Sequence, residues 1–346
     1  MQSKNPNASE HPKIYYLIPD IKRPRINFAR LARSIKKREF KKRFQSDILA
    51  THKPVGGVKV IYQHCMILRE LGYDAIPVKM GKYEGNFYNY NIEALSFKKI
   101  RDQISPEDMV VASEFMPYEA ELFDCRTKII FVQNWINIRR RFTEADSGKN
   151  YSDLGYTHVL SCAEYTTNLI REYMGIEAMT ITNGIDHKKF FQKKDARIEN
   201  RVLCMPRKNP KDLEKIMSLV GRDRATFVMV DGLTEKELIT EYQKSDIFLA
   251  TGYPEGFGLP PLEAMRCGCA VVGFTGGGAS EFMIDGETAL VAKDGDCEGA
   301  AKKLALLLRE KETKEQIRES GLIMSEKYSL ENVQRELSCF YQDILP

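Results

Sequence analysis

The chain reads as an α/β protein made of two doubly wound, parallel-sheet domains. Three observations predict this. Short apolar strands alternate with amphipathic helices along most of the length. The alternation runs twice, and the polar stretch FFQKKDARIEN (190–200) separates the two series. The 346 residues are enough for two domains of ordinary size.

Taken in order, the N-terminus MQSKNPNASEHPK is polar and lacks the apolar core of a signal peptide. Residues 1–12 are expected to form a disordered tail. KIYYLIP (13–19) predicts a first strand, ended by proline. HKPVGGVKVIYQHCMILRELGY (52–73) predicts a glycine loop leading into a helix, with Val58, Ile61, Tyr62, Cys65, Leu68 and Leu71 on its apolar face. Further strands are predicted at 74–80, 108–113, 128–133, 157–162 and 179–184, with a helix at 165–174. The second series has strands at 201–206, 225–232, 246–251, 269–274 and 289–292. Its helices are predicted at 211–220, 235–245, 262–268 and 297–311. The expected division is an N-terminal domain over 13–190, a C-terminal domain over 191–329, and a last helical segment over 330–346.

Bulk properties exclude some classes. No apolar run approaches the ~18 residues of a membrane span. The eight cysteines sit among apolar neighbours, and only Cys267 and Cys269 lie close in sequence. They read as reduced core thiols of a cytoplasmic protein, without zinc-ligand spacing. Residues 22–43 hold eleven Lys/Arg against the single acid Glu39, so the rest of the chain is net acidic although the whole carries +4. Phe28, Leu31, Ile35, Phe40 and Phe44 recur there at near-helical spacing. This segment suits an anionic membrane surface on the inner face, an anionic acceptor, or a plain solvated helix. Nucleic acid is not an expected partner.

The most informative stretch is SDIFLATGYPEGFGLPPLEAMRCGCAVVGF (245–274). It orders strand, tight loop, helix and strand. Glu255 and Glu263 enclose GFGLPP. Gly256 and Gly258 allow close backbone approach, and Pro260 and Pro261 fit a first helical turn. A helix start favours anions, and carboxylates accept hydroxyl hydrogen bonds. The combination suits a phosphorylated, hydroxyl-rich ligand. Against this stands the plain reading, a Gly- and Pro-rich strand-to-helix turn of any α/β protein.

These residues resemble the signature of the large retaining glycosyltransferase family 4, of the glycosyl transferases group 1 type. NGID (183–186), GGGASEFMIDGETALVA (276–292) and the glycines 56–57 match further motifs of that family in order. The resemblance implies a GT-B fold, two Rossmann-like domains facing across a cleft. It implies transfer of a sugar from a nucleotide-diphosphate-sugar to a hydroxyl acceptor, a glycan or lipid-linked saccharide, without metal or other cofactor. It assigns Glu255 to the sugar, Glu263 to the ribose, and Arg207 with Lys208 or Lys211, Lys211 preferred, to the diphosphate. Gly56, Gly57, Phe257, Gly258, Leu259, Asn183 and Gln133 complete the expected donor contacts, with the 276–278 loop and Glu281 closing the pocket. The last helix would cross back onto the N-terminal domain.

One departure stands out. Many relatives carry a histidine where KIIFVQNW places Gln133 and Asn134. An amide can bond a hydroxyl but cannot act as a base at neutral pH. Trp135, the only tryptophan, reads either as lining the acceptor site or as core. The alternatives to transfer are a noncatalytic nucleotide-sugar or glycan-binding subunit, or a sugar-nucleotide epimerase. D-G-D (294–296) reads as a helix N-cap at Asp296 rather than a metal motif. His52, His64, His158 and His187 lack metal-ligand spacing and read as structural.

Overall fold

The structure is a computed structural model. It describes residues 12–20, 56–82 and 90–345. The basic segment 22–43, His52 and nearly all of the expected N-terminal tail lie outside the described residues. The chain forms two compact units, Met1–Thr127 and Lys128–Pro346, so the expected boundary at 190 falls inside the second unit.

In the first unit, β1 (Lys13–Ile18), β2 (Asp74–Lys79), β3 (Leu95–Ser96) and β4 (Met109–Ser113) run in the order β3-β2-β1-β4. Every pairing described there is parallel, with Ile14 opposite both Ala75 and Met109. Helix α1 (Gly56–Glu70) packs on β1 and β2. Its predicted face is buried except Leu71, which follows the helix, and Lys59, Gln63 and His64 are buried as well. His64 Nδ1 lies 3.5 Å from the Tyr16 hydroxyl. Burial pushes its imidazole down to about 3, so it stays neutral. Gly56 and Gly57 form the first turn of α1.

The second unit opens with β5 (Thr127–Val132), β6 (His158–Ser161), helix α2 (Glu164–Met174) and β7 (Met179–Thr180), in the order β5-β6-β7. The chain continues through β8 (Arg201–Cys204), α3 (Pro210–Val220), β9 (Thr226–Met229), α4 (Glu235–Lys244) and β10 (Ile247–Ala250). It ends with α5 (Leu259–Arg266), β11 (Ala270–Gly273), β12 (Leu290–Val291), α6 (Cys297–Arg309), α7 (Lys311–Ser325) and α8 (Leu330–Ile344). The five strands of this part run β12-β11-β10-β8-β9, all parallel. The order reverses between β8 and β10, which makes their carboxyl ends the switch point where open α/β sheets bind ligands. Val202, Leu249, Val272, Ile216 and Leu304 fill the core beneath it.

At the opposite end of β10, Asp246 is 3% exposed. Its carboxylate takes Lys314 Nζ at 2.7 Å, the Arg318 guanidinium, and the backbone N–H of Asn200 at 2.9 Å. Both cations come from α7, which this cluster ties to the sheet.

Helix α8 is capped by Ser329, whose side chain accepts from Asn332 N–H. Glu336 accepts the Thr182 N–H at 2.6 Å, Ile185 N–H bonds Tyr328 O at 2.9 Å, and Phe340 lies edge-on to His158. The last helix therefore packs on the β6–β7 region.

Seven cysteines are buried, as their apolar neighbours suggested, whereas Cys339 is exposed on α8. Among the described residues, no helix is long and apolar enough to cross a membrane.

Candidate functional site

The site is built from the two loops that leave β8 and β10 at the switch point. The first is Met205–Asn209, PRKN in its core. Asn209 takes a left-handed conformation (φ 48°) just before Pro210 opens α3. Asn tolerates this better than other residues because its short polar side chain bonds locally. Here its Nδ2 donates to Thr251 O at 3.1 Å and Tyr253 O at 2.8 Å. The second loop is 251–258. Gly258 (φ 89°) precedes α5, and Pro260 and Pro261 fall in the first helical turn. The helix thus begins at Leu259 rather than at Leu262.

A cavity between these loops is lined by Arg207, Lys208, Thr251, Glu255, Gly258 and Pro260, among others. Lys208 Nζ stands 2.8 Å from Glu255 Oε1 and donates to Pro254 O at 2.7 Å. Arg207 is an exposed cation at the same rim. Lys211, the lysine preferred from sequence, is exposed on α3 and does not line this cavity. Lys208 precedes the left-handed Asn209 and reaches the second loop, whereas Lys211 is an exposed residue of the first turn of α3.

The remaining predicted residues divide. Gly258 lines the cavity, and Leu259 follows it into α5. Phe257 is buried, its ring among Phe282 and Tyr328 with centroids 5.4–5.7 Å apart. Glu263 is 5% exposed on α5, away from the cavity lining, and accepts from the Tyr242 hydroxyl at 3.2 Å. Burial first, and then the Glu263 carboxylate, hold the Tyr242 phenol protonated. Asn183 is buried beside Cys162, with Asn183 N–H directed at Cys162 O. Gly56 and Gly57 belong to the first unit.

Gln133 meets the loop by close backbone approach and Trp135 by hydrogen bonds, neither of which the sequence reading anticipated. A Cβ on Gly256 would fall 1.8 Å from Gln133 O, so only glycine permits this backbone approach. The Trp135 indole N–H is shared between Glu255 O at 3.0 Å and Gly276 O at 3.2 Å. Glu255 N–H bonds Gly276 O at 2.8 Å, and Gly278 N–H bonds Glu255 O at 3.1 Å. Tyr165 sets its ring edge-on to the indole.

Glu281 does not close the cavity. Its Oε1 accepts the Tyr165 N–H at 2.8 Å and so caps α2, whose own N-cap Ala163 offers no side-chain acceptor. Burial holds this carboxyl above its ordinary value. The D-G-D residues also serve backbone amides: Asp294 accepts from Gly276 N–H, and Asp296 caps α6 through Gly299 N–H. Among the described residues, no group of three or more His, Cys, Asp or Glu is arranged to hold a metal ion.

Residues 208–323 match the model for glycosyl transferases group 1. The serotype-specific mannosyltransferase WbdA of Escherichia coli is 43% identical over 67 residues, 18% of this chain and 8% of that protein. An uncharacterized glycosyltransferase of Methanocaldococcus jannaschii is 22% identical over 216 residues, 56% of this chain and 62% of the relative. The chain thus spans under two thirds of the length of these relatives. Among solved structures, Anabaena HepE in complex with UDP and glucose superposes with a TM-score of 0.71 at 12% identity, over 96% of this chain and 100% of that one. Sucrose-phosphate synthase from Thermosynechococcus elongatus gives 0.65 at 12% identity, over 96% and 99%. The chain therefore carries a glycosyl transferases group 1 segment on a GT-B fold.

Proposed function

We propose that the chain is a retaining, family 4-type glycosyltransferase that moves a sugar from a nucleotide-diphosphate-sugar to a hydroxyl acceptor, a glycan or lipid-linked saccharide. One observation carries this reading: a carboxylate, Glu255, pairs with Lys208 in a cavity at the switch point of the sheet that Arg207 also lines. Sugar hydroxyls suit the carboxylate, and a diphosphate suits the cations. The UDP and glucose bound by HepE support the same class of donor.

In the proposed reaction the bond between the anomeric carbon and the diphosphate oxygen breaks. The acceptor oxygen bonds that carbon on the same face. The acceptor proton passes to the departing phosphate oxygen. Arg207 and Lys208 stabilise the charge that develops on the diphosphate. Glu255 orients the sugar by accepting from its hydroxyls. No metal or other cofactor is invoked. Contact of residues 22–43 with an anionic membrane belongs to the same proposal, and their deletion should abolish liposome binding while sparing donor hydrolysis.

A nucleotide-sugar-binding subunit is the second reading. It is favoured by Gln133 and Asn134, neutral amides that cannot act as a base, standing where many relatives of the resembled family carry a histidine. A thermal-shift screen with UDP, GDP, dTDP and ADP tests both readings, since a specific ligand raises Tm by mass action. Slow hydrolysis of the matching sugar donor supports the transferase. Binding without turnover, with any acceptor, supports the subunit. No shift with any nucleotide rejects both.

A further inference from the structure

We propose that Trp135 is a positioning residue for Glu255. The inference rests on the glycosyltransferase reading and adds a residue that acts through the loop rather than on substrate. The loop between β10 and α5 lies outside both elements and is paired only by an isolated parallel bridge between Glu255 and Gly277. Glu255 is fixed at three points: its carboxylate by Lys208, its N–H by Gly276 O, and its C=O by Gly278 N–H and the Trp135 indole. Of these, the indole alone reaches in from the segment after β5. Its single N–H spans the carbonyls of Glu255 and Gly276, so one donor sets the spacing of two loops.

Tryptophan suits this post because its ring is a donor only, on a large rigid body. Tyr165 braces that body from the side, and Glu281 fixes the Tyr165 N–H. Both carbonyls keep a backbone donor when the indole N–H is removed: Gly278 N–H for Glu255 O, and Glu255 N–H for Gly276 O. The fold should therefore survive the loss, while the angle at which Glu255 is presented should not. Misplacement by about 1 Å at such a group costs on the order of a hundredfold in rate.

Trp135→Phe is the test, because it keeps an aromatic ring beside Tyr165 and deletes only the donor edge. The expected result is a fall in kcat of roughly tenfold or more, with donor KM within about twofold and Tm within a few degrees of wild type. A residue that only packs would leave kcat unchanged or move Tm and KM together, and either result overturns the proposal. A second measurement needs no variant. Trp135 is the only tryptophan in the chain, so its emission reports this junction alone. Titration of the wild-type protein with the nucleoside diphosphate that raises Tm should shift or quench that emission. A flat titration overturns the coupling even where kcat has fallen. If no nucleotide raises Tm, it is the transferase reading that fails. If Tm rises while emission and the Trp135→Phe rate stay unchanged, only the role of Trp135 fails.

Discussion

Replacing Lys208 by methionine should weaken nucleoside diphosphate binding far more than replacing Lys211. Lys208 Nζ lies at the cavity, bonded to Glu255 and Pro254 O, with its side chain 32% exposed. A hydrogen bond to a charged group contributes about 1.5–3 kcal/mol, and partial exposure places this one near the lower bound. That corresponds to roughly a 10- to 30-fold rise in Kd. The change acts twice, because methionine also leaves the Glu255 carboxylate without its cation, next to the incoming diphosphate. Lys211 is exposed on the outer face of α3, and its replacement should alter Kd less than about twofold. Calorimetric titration with the nucleoside diphosphate chosen by thermal shift measures both, and repetition at higher salt should narrow the difference. A larger loss at Lys211→Met than at Lys208→Met would refute the geometric argument.

Gly256→Ala should destabilise the second unit by about 2–3 kcal/mol, because its Cβ meets the Gln133 carbonyl; a denaturation midpoint equal to wild type would show that the backbone yields freely. Asp246→Ala leaves Lys314 and Arg318 buried without their shared partner and should cost about 3–5 kcal/mol. Adding Lys314→Met should recover part of that loss, and strict additivity in chemical denaturation would contradict a coupled cluster. Glu281 supplies a pH dependence. Burial raises its carboxyl, so the folded state binds the proton more tightly than the unfolded state, and stability should fall as pH rises from the ordinary glutamate value through the raised one. Glu281→Gln keeps an acceptor for Tyr165 N–H and should flatten its share of that slope, leaving the similar contribution of Glu336; an unchanged Tm–pH profile would count against it.

Much of the fold was legible because strands buried on both faces read as continuous apolar runs, as in IFLA and AVVG. Helix α7 was not. KETKEQIRESGLIMS is largely polar, and only Glu310 separates it from α6. Its buried face is Lys314, Ile317, Arg318, Gly321 and Ser325, where two cations paired with Asp246 stand beside a single large apolar residue, so the periodic apolar signal is weak. Within the site, strand–loop–helix order located Glu255, Gly258 and the lysine-bearing loop. Of the two candidate lysines, Lys208 lines the cavity and Lys211 does not. The signal for where α3 starts was present in Asn209–Pro210, since asparagine tolerates the left-handed region and proline starts a helix. Glu281 was expected at the cavity because its motif follows the glycine loop. It serves instead as the side-chain acceptor that α2 lacks, a shortage visible in Ala163 but matched to Glu281 only in three dimensions.

The loop after β10 shows why such roles escape a linear reading. Its carbonyls are satisfied one after another by side chains from elsewhere. Asn209 takes Thr251 O and Tyr253 O, Lys208 takes Pro254 O, and Trp135 takes Glu255 O. Thr166 approaches Gly256 O at 3.5 Å. A partly buried loop with only one bridge pairing, Glu255 with Gly277, must find such donors, because each buried carbonyl left unpaired is costly. The donors come from after β5, from α2 and from after β8, so the conformation of Glu255 depends on parts of the chain up to 120 residues away. Mutations at these donors should therefore change how the carboxylate is presented before they change whether the chain folds. Each deletes one bond from a loop held by several, whereas catalysis by the proposed route depends on the direction in which a single side chain points.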